Sequence, residues 1–231
     1  MISSMVQSLS TYSQDIDNVI MLIGVLVGFW FIACEVVFFW FIWKFKDRGQ
    51  KAQYITGTKK EEKKFINIPH ALVLVCDVLI IVAAVRVWVD VKQTLPKPDA
   101  TVGIHAQQWA WTFKHPGPDG KLHTPDDIDT AHDLFIEVGK TYHYKLTAED
   151  VLHSFSVPVF RLKQDAIPGR EITGWFKATG TGEHDIQCAE MCGIGHGIMA
   201  ARIHIQTPEK HAAWMAKHSG GALAAAKPEE R

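Results

Sequence analysis

The chain is 231 residues long, carries a formal net charge of −1 and is 47% hydrophobic. That balance excludes a disordered chain, which would be poor in apolar residues and strongly charged, and it excludes a basic protein built to neutralise nucleic acid. The length suffices for about one and a half ordinary domains.

Residues 1–18 hold no Lys or Arg, and an apolar run then extends from 19 to 43, broken only by Glu35. A secretory signal would open on basic residues and have a shorter apolar core, so this run reads as a retained anchor. A second run, 65–89, is apolar apart from Asn67, His70, Asp77 and Arg86. Each reaches the roughly 20 residues needed to span a bilayer. Between them, residues 44–64 carry Lys44, Lys46, Arg48, Lys51, Lys59, Lys60, Lys63 and Lys64. The positive-inside bias places that loop in the cytoplasm and both termini outside. Trp30, Trp40, Trp43 and Trp88 are suited to the headgroup level. Cys34 and Cys76 lie within the runs as small apolar residues and receive no metal.

Residues 90–100 contain Pro96 and Pro98 and read as a linker. Beyond it the apolar residues alternate: Val102, Ile104, Ala106; Leu134, Ile136, Val138; Tyr142, Tyr144, Leu146; Ile203, Ile205. A period of two punctuated by Gly and Pro predicts an antiparallel β-sandwich or barrel over 101–206. The aperiodic stretch 115–127 reads as a long hairpin loop, and its aspartates lack the spacing of a calcium-binding EF-hand. Thr207, Pro208 and Glu209 signal a helix start, giving a short helix over 207–217 and a mobile tail over 218–231.

Residues 188–199 read Cys-Ala-Glu-Met-Cys-Gly-Ile-Gly-His-Gly-Ile-Met, and His153 precedes them in Asp150-Val-Leu-His153. A disulfide would use Cys188 and Cys192 but leave His196 and Met199 idle. Zinc rarely takes a thioether. A mononuclear blue-copper site uses one Cys, two His and a weak Met, leaving a thiol over. Two thiolates bridging two copper ions accommodate every group, and Gly193 and Gly195 let the loop fold closely around them.

With these residues in view, the sequence resembles subunit II of the haem-copper cytochrome c oxidases, across the two-helix anchor, the linker and residues 101–217. The resemblance implies a dinuclear copper centre, CuA, on a cupredoxin-like domain. His153, Cys188, Cys192, His196 and Met199 would be side-chain ligands and Glu190 a backbone-carbonyl ligand. The Glu190 carboxylate would also help bind magnesium or manganese against subunit I. Trp109, in Gln108-Trp-Ala-Trp111, would be where electrons from cytochrome c come in, although Ala110 replaces the family's tyrosine. Asp165 and Arg170 would lie toward subunit I and its haem propionates, and Asp150 would be a docking acid for cytochrome c. The expected partners are the haem-bearing subunit I, other oxidase subunits, cytochrome c and membrane lipid, in a bacterial-type cell membrane. The expected function is relay of electrons to haem for reduction of oxygen to water, coupled to proton translocation. Two other readings stay open: the CuA subunit of a haem-copper nitric oxide reductase, and a membrane-tethered copper chaperone. No Cys-x-x-Cys-His occurs, so no haem c is attached within the chain.

The family's proton-uptake glutamate before a Trp-Thr in the second helix has no counterpart here. Glu35, His70 and Asp77 lie roughly 12, 8 and 18 Å from the cytoplasmic ends of their runs. Such residues either face subunit I and carry protons or bind the helices together.

Overall fold

The computed structural model describes residues 6–47, 49, 51 and 54–225, with side chains through 219. Two helices come first: α1 (Ser13–Phe45) and α2 (Lys60–Trp88). Both start ahead of their apolar runs because polar residues suit a helix N-terminus. Asp15 lies in the first turn of α1, and Glu61 and Glu62 in that of α2, where the macrodipole favours an acid. The Lys59 backbone N–H donates to the Glu62 carboxylate at 3.3 Å. Pro69 is tolerated inside α2, as prolines are in membrane helices. No described residue of α2 is buried, and Phe29, Phe31, Phe38, Phe39, Leu74 and Ile81 are exposed. Both helices are long and apolar enough to cross a bilayer, and the exposure of their apolar side chains is the opposite of a soluble core.

Among the described residues, those up to 14 and from 90 onward form one compact unit, and those within 15–89 the other. The first holds β1 (Ala100–Gln107), β2 (Ala110–His115), β3 (Ile128–Ala131), β4 (Asp133–Glu137), β5 (Thr141–Ala148), β6 (His153–Val157), β7 (Leu162–Ala166), β8 (Ile172–Lys177), β9 (Gly182–Cys188) and β10 (Ala200–Gln206). These make two five-stranded sheets, β3-β2-β1-β5-β8 and β4-β10-β9-β6-β7. The alternating residues face inward as predicted: Val102, Ile104, Ala106, Leu134, Ile136, Tyr142, Tyr144, Leu146, Ile203 and Ile205 are all buried. Phe155 anchors the centre, edge-on to Trp111 at 5.5 Å and near Phe113 and Tyr144. The all-antiparallel expectation needs correcting. β1 pairs parallel with β5, and β4 with β10. Alternation reports burial of one face, and that pattern is identical for parallel and antiparallel neighbours.

The segment ahead of α1 is part of the strand unit. Leu9 N–H donates to the Val159 carbonyl at 2.8 Å, Thr179 N–H to Leu9 at 2.9 Å and Thr11 N–H to Lys177 at 3.1 Å. The Arg161 guanidinium donates to the carbonyls of Val6 and Gln7. The linker is likewise strapped down. After a π-helical turn (Val89–Gln93), the Trp175 indole donates to the Val91 carbonyl at 3.0 Å, and Lys92 donates to the Gln164 side chain at 2.8 Å.

The C-terminal helix, α3 (Pro208–Ala225), outruns the expected end at Lys217; residues 226–231 of the expected tail lie outside the described residues. Thr207 caps it by accepting from the Lys210 N–H at 3.4 Å. Trp214 docks it, stacked on Phe135 at 4.5 Å and edge-on to His115 at 4.9 Å. Phe135 N–H donates to His115 Nε2 at 3.0 Å, so the ring proton sits on Nδ1, which faces the Ile128 carbonyl at 3.3 Å. Burial pushes the His115 pKa down to about 4.

Candidate metal centre

One end of the sandwich gathers the sulfur and imidazole groups. His153 opens β6, Cys188 closes β9, and the pairing of Phe155 with Cys188 brings those two strand ends together. The β9–β10 loop then turns back, through a 3-10 turn at His196–Ile198, to Met199 just before β10. Its base is closed by Cys188 N–H donating to the Met199 carbonyl at 3.1 Å. Gly193 has φ +118°, in the region glycine adopts without strain. Gly195 lies under the Trp109 ring, where a Cβ would come within 2.4 Å of Cδ2.

Cys188, Cys192 and Met199 are buried, and His153 is fully so. Cys188 Sγ and Cys192 Sγ are 3.7 Å apart, against about 2.05 Å in a disulfide, so both are free thiols. Cys192 Sγ is also 3.6 Å from His196 Nδ1 and 3.8 Å from Met199 Sδ. Cys188 Sγ donates to the Glu190 carbonyl at 3.2 Å. A ring nitrogen of His153 and both sulfurs lie within 4.8 Å of one another. His153 Nε2 is taken by Asp150 Oδ1 at 2.9 Å, whereas Nδ1 is buried with no hydrogen-bond partner among the described residues. A buried nitrogen without a partner is costly unless a ligand completes it. Burial, and then the neighbouring Cys188 thiol, push the Cys192 pKa up to about 11, so thiolates here need a cation beside them. The donors thus fit a soft metal ion.

Asp150 is committed inside the site. Its carboxylate accepts from His153, from the Gln108 N–H at 2.8 Å and from the Val151 N–H at 2.7 Å. Burial works against its ionisation, but the His153 hydrogen bond and the two backbone donors prevail and hold its pKa at about 2. Trp109 lies on the β1–β2 turn, half-buried against the core, with its indole N–H donating to the Cys192 carbonyl at 3.1 Å. Gln108 Nε2 donates to the same oxygen at 2.8 Å. The role of Gln108 had no signal in the sequence beyond its place before Trp109, and Asp150, expected from the resemblance as a docking acid, turns its carboxylate to His153 and two backbone N–H groups. Glu190 offers its backbone to the cluster and leaves its side chain half-exposed. Asp165 lies on β7 opposite Ser154, and Arg170 on the exposed turn that follows.

Two apolar helices joined to a cupredoxin-like sandwich, with thiols, imidazoles and a thioether at one end, define a membrane-anchored protein with a soft-metal site. A family model described as cytochrome c oxidase subunit II, periplasmic domain, matches residues 118–206. An alternative cytochrome c oxidase subunit 2 of Bradyrhizobium diazoefficiens is 30% identical over 223 residues, covering 87% of this chain and 79% of that protein. Cytochrome c oxidase subunit 2 of Thermostichus vulcanus is 41% identical over 134 residues, 58% of this chain; the match spans only 38% of that relative's length. The solved periplasmic domain of subunit II of cytochrome oxidase from Bradyrhizobium japonicum is 28% identical with a TM-score of 0.50, covering 55% of this chain and 99% of that one. The chain belongs to the cytochrome c oxidase subunit II family.

Proposed function

We propose that this chain is the electron-accepting subunit of a haem-copper terminal oxidase. In this reading it takes electrons from a cytochrome c and relays them to haem in a catalytic subunit I, which reduces oxygen to water in a reaction coupled to proton translocation. The reading rests above all on the buried Nδ1 of His153, which has no partner among the described residues, beside two free thiols 3.7 Å apart. His153, Cys188, Cys192, His196 and Met199 would hold a dinuclear copper centre through their side chains, and Glu190 through its carbonyl. Bound there, copper would supply one-electron redox chemistry in a soft-ligand site.

The remaining roles belong to the chain itself. Cys188 and Cys192 would give up their protons to hold the metal as thiolates, and both are buried. Asp150 fixes which nitrogen of His153 is free for the metal. Trp109 is the proposed contact with the donor. Exposed Met191, Ile194 and Ile198 on the same loop offer the donor an apolar surface. The Glu190 carboxylate is proposed to share a magnesium or manganese ion with subunit I, and Asp165 and Arg170 to face that subunit.

The strand domain and N-terminus are proposed to lie on the extracytoplasmic side of the cell membrane, in contact with lipid through α1 and α2. Two helices long and apolar enough to cross a bilayer, with the basic residues Lys44 to Lys64 gathered between them, support a two-pass hairpin with its basic loop in the cytoplasm. Membranes lacking the native chain, supplied with the wild type or with Cys188→Ser/Cys192→Ser, test the function. The wild type alone should restore oxygen uptake driven by reduced cytochrome c. Nitric oxide consumption without oxygen uptake would move the assignment to a nitric oxide reductase.

A further inference from the structure

We infer that Gln108 is a positioning residue for electron input: its side-chain amide and the Trp109 indole grip one carbonyl, that of Cys192, and so align the Trp109 ring on the metal-binding loop. The inference rests on the function proposed above and adds a residue that acts through the Trp109 ring rather than through the metal.

The Cys192 carbonyl oxygen accepts Gln108 Nε2 at 2.8 Å and Trp109 Nε1 at 3.1 Å. A carbonyl has two lone pairs, so these two donors complete it. A ring held by one hydrogen bond can swing about it, whereas a second bond from the adjacent residue to the same oxygen fixes the turn. Gln108 is also held at its other end, because its backbone N–H donates to Asp150 Oδ2 at 2.8 Å. The opposite oxygen of that carboxylate engages His153. Gln108 therefore ties the turn that carries Trp109 to two ligand-bearing segments at once.

The loop is shaped around both side chains. A Cβ on Gly193 would lie 3.0 Å from Gln108 Nε2 and 3.2 Å from Trp109 Cζ2, and one on Gly195 would lie 2.4 Å from Trp109 Cδ2. With glycine at both places, the ring rests directly on loop backbone. A short route then runs from the indole N–H through the Cys192 carbonyl and along that residue to Sγ. With copper held by the loop, the one electron lost by the donor would be taken up there, and no bond or proton changes at Gln108.

The test uses the full chain in detergent, loaded with copper, as wild type, Gln108→Leu, Trp109→Phe and the double variant. Reduction is followed with a soluble c-type cytochrome and, separately, with hexaammineruthenium(II), a small reductant that needs no docking. Copper per chain and the thiolate-to-copper absorption are recorded alongside. Gln108→Leu should keep its copper and its absorption, slow reduction by the cytochrome by about tenfold, leave the small reductant unaffected and add nothing in the Trp109→Phe background. An unchanged cytochrome rate, equal slowing with both reductants, or full slowing in the absence of the indole would each overturn the inference. So would loss of copper, which would make Gln108 a residue that holds the loop together. If the wild type binds no copper, the underlying reading fails instead. The alignment is then read in the metal-free chain from amide exchange over residues 193–196, which Gln108→Leu should speed up and which would overturn the inference if unchanged.

Discussion

Asp150 Oδ1 lies 2.9 Å from His153 Nε2 and leaves the other ring nitrogen of His153 buried, with no hydrogen-bond partner among the described residues. One carboxylate thereby sets both the tautomer of the imidazole and the direction in which its free nitrogen is offered. Groups in this relation to a ligand commonly change metal affinity by about 10–100-fold when removed. Asp150→Ala should weaken copper binding within that range in a chelator competition, and Asp150→Asn, which keeps an acceptor oxygen, should weaken it less. Equal affinity in all three chains would mean that His153 needs no such support.

Gly195 gives a prediction about space. Its Cβ would meet Trp109 Cδ2 at 2.4 Å with a second ring atom at 2.5 Å, so an alanine must displace the indole or the loop. Overpacking of this kind costs about 1–3 kcal/mol. Thermal unfolding of metal-free Gly195→Ala should show that loss, whereas Gly197→Ala, with open space around its Cβ, should unfold close to the wild type.

His115 predicts an acid sensitivity. Its folded pKa is about 4, below the ordinary histidine value of about 6.5, so between those values the unfolded chain binds a proton that the folded chain refuses. Stability is therefore retained above about pH 6.5 and falls as the pH drops toward about 4, by about 3 kcal/mol in total. Burial lowers the pKa values of His184 and His211 as well, adding slope of the same sign. Denaturant unfolding across this range should show the loss, and His115→Gln should flatten it by about one proton. A slope unchanged by that substitution would remove His115 from the explanation.

The ionisable residues of the helices allow a separate test. Glu35 is half-exposed, and His70 and Asp77 are exposed on α2. If they carry protons to subunit I, Glu35→Gln, His70→Ala or Asp77→Asn should lower turnover and proton uptake in the assembled complex while leaving copper content unchanged. Unchanged turnover and uptake in all three would leave them as helix-binding or lipid-facing groups.

Much of this was legible in the residues. Val102, Ile104 and Ala106 alternate because one face of β1 is buried, and that period survives any strand order. Strand direction does not show in such a period, so the parallel pairing of β1 with β5 was invisible. The pairing of residues 9–11 with Val159, Lys177 and Thr179 uses backbone groups alone, which no side-chain pattern records. The proposed sulfur and imidazole ligands stood out because few other roles call for Cys, His and Met at that spacing. Gln108 did not, since its contact is with a backbone carbonyl 84 residues away.

The most direct test of the central claim is an electron paramagnetic resonance spectrum of the copper-loaded full chain, with copper counted by mass spectrometry. Two coppers per chain and a seven-line hyperfine pattern, the signature of one unpaired electron shared equally by two copper nuclei, are the predicted result. One copper with a four-line pattern, or no copper held, would contradict the dinuclear centre.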